Sequence, residues 1–104
     1  MTTLFASKRS GKKFSVITPK GKIVHFGAKG CGDFEIWGRR RGRVFAERKR
    51  KGYIARHKVI TDGSGVLAYK NPEMPAYYAM RALWDFPRGN PLFKQVKSIR
   101  NRGR

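Results

Sequence analysis

The sequence has a single cysteine, Cys31, so it closes no internal disulfide, and a reducing place of synthesis is the natural reading. Histidine is almost as scarce. His25 and His57 are the only two, and a zinc site of ordinary ligand number would need carboxylates beside them. Acidic residues number only six. No two of them stand out as an acid and base pair, and neither histidine has a serine, cysteine or carboxylate at a spacing that suggests a dyad or triad. The expectation is therefore a protein that is not an enzyme and uses no metal or cofactor. Long apolar runs are missing as well: none approaches the roughly 20 residues needed to cross a bilayer, and the first residues lack the apolar core of a signal peptide.

What the chain has instead is positive charge. Lys and Arg number 25 in 104 residues, for a formal net charge of +19 and a sequence pI near 11.2. Self-repulsion of that size opposes compaction, and a polyanion or an acidic protein surface would relieve it. Apolar residues at 39% and aromatics at 12% are enough for a folded domain, although a chain this short builds only a thin core.

Residues 1–13 hold Lys8, Arg9, Lys12 and Lys13 with no acid, which reads as an extended basic arm. A single small domain is expected over residues 14–100. Two β-branched and aromatic runs around Pro19 and Gly21 predict a β-hairpin over 14–26. Residues 27–32 read as a glycine-rich loop that lacks the Gly-Lys-Ser/Thr ending of a phosphate loop. Asp33 is placed to cap a basic helical stretch over 33–58, weakened by Gly38, Gly42 and Gly52 and expected to break near Gly52. Pro75 opens a helix over about 75–85, and Asn90 with Pro91 opens a last one over 91–100. Residues 101–104 form a basic tail. The fold class is thus α+β: a small N-terminal hairpin, then about three helices, with extended basic termini.

The densest feature is the run from 39 to 58, with ten basic residues against Glu47 alone. Arg39, Arg40, Arg41, Arg43, Arg48, Lys49, Arg50, Lys51, Arg56 and Lys58 are the candidate anion-binding or partner-binding residues, since such density exceeds what solubility requires. Arginine dominates the first half, and its planar fork suits phosphate or carboxylate. The aromatics Trp37, Phe45, Tyr53, Tyr77, Tyr78 and Trp84 are read as core or assembly interface in preference to platforms for bases.

Three stretches, His25-Phe26-Gly27-Ala28-Lys29-Gly30 with Asp33-Phe34 following, Tyr53-Ile54-Ala55-Arg56-His57-Lys58, and Leu83-Trp84-Asp85-Phe86-Pro87, resemble in content and order a family of small, basic, uncharacterised proteins of nucleocytoplasmic large DNA viruses. The resemblance spans roughly residues 14–100. It implies a viral origin and carries over no catalytic residue. The function it implies is that of a virion structural protein, a minor capsid protein cementing major capsid subunits from inside the shell. Its partners would be other capsid proteins, major and minor, with viral DNA or anionic inner-membrane lipid as further neighbours and no small-molecule substrate. Synthesis would be in the host cytoplasm or nucleus. The alternative is a sequence-independent DNA-binding protein that coats or condenses the viral genome.

Overall fold

The computed structural model of the chain describes residues 2–102. It is an α+β fold in which a three-stranded antiparallel sheet precedes the helices. Strands β1 (Leu4–Ala6), β2 (Lys12–Ile17) and β3 (Ile23–Ala28) lie in sequence order. Period-two alternation sends Leu4, Phe14, Val16, Val24 and Phe26 inward. Register keeps them together, with Val16 opposite both Leu4 and Val24, and Phe14 opposite both Ala6 and Phe26. The other face is open, and Phe5, Ile17 and Ile23 are each more than half exposed there.

The expected hairpin is present, and its turn closes through Thr18 N–H to Lys22 O at 2.7 Å and Gly21 N–H to Thr18 O at 2.8 Å. The extended arm is not what forms at the N-terminus. Residues 4–6 instead become an edge strand, because Leu4 completes an inward apolar row and the Gln95 amide stands in for a further strand. That amide accepts from Leu4 N–H at 2.8 Å and donates to Thr2 O at 2.8 Å. Edge groups that would otherwise face water alone are paired in this way.

Asp33 caps α1 (Phe34–Arg41), accepting from Ile36 N–H at 3.2 Å. The basic stretch then breaks at Gly42 and not at Gly52. Gly42 has φ +86°, which ends α1 and starts α2 (Arg43–His57). The break folds the two helices together so that Gly38 faces Ala46 and the Trp37 and Phe45 rings meet at 5.2 Å. Gly52 remains inside α2.

Between α2 and the next helix, the chain makes a Thr61–Leu67 bridge and a 3-10 turn at Ala68–Lys70. Helix α3 (Pro75–Tyr78) continues as a π-helical turn over Ala79–Leu83. Its side chains are buried nearly all round: Tyr78, Ala79, Met80, Ala82, Leu83 and Trp84. Helix α4 (Pro91–Arg102) starts on Asn90, whose Oδ1 accepts from Leu92 N–H at 3.0 Å. It runs through Asn101 and Arg102, so the first half of the expected tail is helical, while residues 103 and 104 lie outside the described residues.

Candidate polyanion-binding surface

Every one of the six acids is engaged within the fold. The Asp33 carboxylate, almost wholly buried, receives a two-pronged contact from Arg100, at 2.6 and 3.1 Å, and a third from Lys13 at 3.0 Å. Burial alone would raise its pKa, but the hydrogen bonds and charges of Arg100 and Lys13 outweigh that and hold it below the usual value. Glu35 takes Arg100 at 2.7 Å and Arg39 at 3.1 Å. Glu47 takes the Arg88 fork at 2.8 and 3.1 Å.

The remaining three accept neutral donors. Asp62 accepts from Ser64, Val66 and Asn71, which brings its pKa down to about 2. Glu73 accepts from the Thr18 hydroxyl and from Lys20 N–H, so it ties the hairpin turn to the segment before α3. Asp85 accepts from Asn90 N–H at 2.8 Å. Among the described residues, only Lys13, Arg39, Arg88 and Arg100 stand in salt bridges. Most of the surplus cations are therefore without a carboxylate partner, and most of those are exposed.

Helix α2 sorts that surplus by phase. Ala46, Arg50, Tyr53 and His57, spaced four, three and four apart, face inward, while Val44, Arg48, Lys51 and Ala55 form the exposed stripe. Fifteen residues give a rod of about 22 Å. Arg40, Arg41, Arg43, Lys49, Arg56 and Lys58 are exposed as well. Several cations lie over rings: Arg41 over Phe45 at 4.3 Å, Lys49 over Trp37 at 5.2 Å, and Lys58 over Phe86 at 5.3 Å.

Arg50 departs from the expected surface set. It is 7% exposed, and its guanidinium donates to Trp84 O and Asp85 O, each at 2.7 Å. Those carbonyls sit where the π-helical turn ends and Asp85 takes φ +51°, so Arg50 satisfies groups that helix geometry leaves unpaired. Its role is to hold the Leu83–Pro87 stretch against α2. Arg39, tied to Glu35, is half committed. The other eight expected cations remain available.

The expected aromatics divide. Tyr78 and Trp84 are buried core, and Trp37, Tyr53 and Tyr77 pack against it while partly exposed. Phe45 sits at the crossing of α1 and α2. Tyr53 is the middle ring of a stack, with His57 at 3.9 Å and Trp84 at 4.7 Å.

The surface also extends to residues outside the basic run. Arg43, Arg88 and Lys97 line one open groove of about 500 Å³ together with Glu35 and Glu47, so α4 adds Lys97 to the charged face. The signal was present in α4, whose apolar positions 92, 96 and 99 leave Lys94 and Lys97 on the opposite side. Among the described residues no cluster of three or more His, Cys, Asp or Glu could hold a metal ion. No helix among them is long and apolar enough to cross a membrane.

Residues 2–38 match a family of unknown function, DUF5754. The match takes in the sheet, the glycine-rich loop and most of α1. It stops short of α2 and of the Leu83–Pro87 stretch, two of the three places that carry the viral resemblance. No curated protein and no solved structure matches the chain.

Proposed function

We propose that this protein is a non-catalytic structural component that bridges a polyanionic or acidic surface and a protein neighbour. The observation that carries this reading is the internal engagement of all six acids, which leaves eight exposed cations of the 39–58 run without a carboxylate partner. The open sheet face with Phe5, Ile17 and Ile23 supports a second contact, since apolar side chains grouped on an uncovered face suit a protein interface. Two chemically different surfaces on one small scaffold suit a cementing role.

The viral resemblance makes the reading concrete. The protein would be a minor capsid protein on the inner side of a virion shell, with its basic helices against acidic neighbours, DNA or anionic lipid. A second reading, a coat on the viral genome, draws support from the length of α2: an exposed row of Arg48, Lys51 and their neighbours can follow a phosphate backbone without reading bases.

Particle fractionation separates the two. Particles opened and emptied with nuclease should retain this chain in the shell fraction if it cements capsid proteins. Release together with the digested DNA would overturn the cementing reading and favour the coat.

A further inference from the structure

A cleft of about 610 Å³ lies between the loop at residues 27–32 and α2. Three observations mark it as built. The first concerns glycine. Among the described residues, a side chain added to glycine would come closer than ordinary contact at Gly27, Gly32 and Gly52 only. At position 32 it would overlap the Trp37 indole, at 27 it would meet Leu83 at 3.0 Å, and at 52 it would meet the Arg56 guanidinium at 3.1 Å. Gly27, Gly32, Trp37, Leu83 and Arg56 all line the cleft. Gly52, costly inside a helix, lets Arg56 fold back along α2 towards it.

The second observation is charge. Lys49 and Arg56 line the cleft, and neither is in a salt bridge among the described residues. The one carboxylate in the lining, Asp33, is already covered by Lys13 and Arg100. The third is the wall. Both tryptophans of the chain, Trp37 and Trp84, border the cleft with Tyr53 between α2 and the core. Both Tyr53 faces are taken by His57 and Trp84, whereas Trp37 carries Lys49 over its ring, a flexible cover that can move to meet an anion.

We propose that this cleft binds one nucleotide, with its phosphate between Lys49 and Arg56 and its base against Trp37. An anionic group beside a flat, weakly polar body is the chemistry the lining complements, and the arginine fork suits phosphate. A cleft of this size accepts a nucleotide. The same chemistry comes from a free mononucleotide or from an unpaired nucleotide within a strand. The site adds to the outward surface and does not depend on it.

Tryptophan fluorescence of the full chain reads the contact directly, titrated with thymidine monophosphate in one arm and a short oligothymidylate in the other. Saturable quenching by both is expected if a free nucleotide suffices, and by the oligonucleotide alone if the source is a strand. The double variant Lys49→Ala with Arg56→Ala should weaken the interaction about tenfold or more, a larger loss than it causes in duplex DNA binding, to which the other outward cations also contribute. The reciprocal variant, Arg40, Arg43, Arg48 and Lys51 all to Ala, should weaken duplex binding and keep the quenching. Absence of quenching by either probe, or quenching unchanged in the double variant, would overturn the nucleotide site and leave the surface reading standing. Circular dichroism of both variants confirms that each is folded before the comparison is made.

Discussion

Arg100 grips Asp33 through both terminal guanidinium nitrogens, Nη2 at 2.6 and Nη1 at 3.1 Å, and so ties α4 to the start of α1 across 67 residues of sequence. Lys13 from β2 and Glu35 from α1 join the same cluster. Among the described residues it is the one place where the sheet, α1 and α4 share salt bridges.

This cluster fixes how stability depends on acid. The folded-state pKa of Asp33 lies below its ordinary value of 3.8, so its contribution is fully present above that value and is lost as pH falls through the lower, folded one. In Arg100→Met, burial of Asp33 loses its main counterweight. The midpoint of acid unfolding, followed by circular dichroism, should move to higher pH, and stability at neutral pH should fall by about 3 kcal/mol. An acid midpoint unchanged in the variant would show that the pair does not hold α4 in place.

Arg50 and Arg48 are two residues apart and should behave oppositely. Arg50→Met leaves the Trp84 and Asp85 carbonyls unpaired in the interior, and urea denaturation should show a loss of about 2–4 kcal/mol. Arg48→Ala, on the exposed stripe, should change stability by less than about 0.5 kcal/mol and weaken polyanion binding instead. Equal stability losses in the two variants would contradict the division of α2 into an inner and an outer face.

The two glycines of the basic run give a second pair of opposite signs. Gly42→Ala forces a side chain into φ +86°, and a loss of about 1–2 kcal/mol should appear in thermal or urea melts. Gly52→Ala removes a flexible residue from the middle of α2 and displaces only the far end of Arg56, so a gain of up to about 1 kcal/mol is expected. A loss at position 52 would mean that the Arg56 side chain cannot yield.

Much of this architecture is legible in the residues. Alternation through Phe14, Val16, Val24 and Phe26 announces the hairpin, and Asn90 with Pro91 announces α4. Local chemistry decides those elements, so local reading suffices. The strand at Leu4 is different. One inward apolar residue in a short basic segment carries little signal, and its pairing depends on Gln95, 91 positions away. Gly42 and Gly52 look alike in sequence; what separates them is the contact of Trp37 with Phe45, which only a fold at 42 permits. Arg50 is hidden among like-charged neighbours for the same reason, since its inward phase is set by the break at Gly42. Of the candidate surface, the charge was legible in full and its direction was not. The cleft was still less so, because it joins a loop, a helix and a core aromatic that no spacing connects.

The salt dependence of duplex DNA binding tests the central claim most directly. If the outward cations of α1 and α2 are the binding surface, the slope of log affinity against log salt should become shallower by roughly 3–4 when Arg40, Arg43, Arg48 and Lys51 are all replaced by alanine, at about −0.9 per lost phosphate contact. The fold should remain intact. A slope the same as that of the unaltered protein would contradict the account, because the charge left over after the acids are engaged would then have no part in binding.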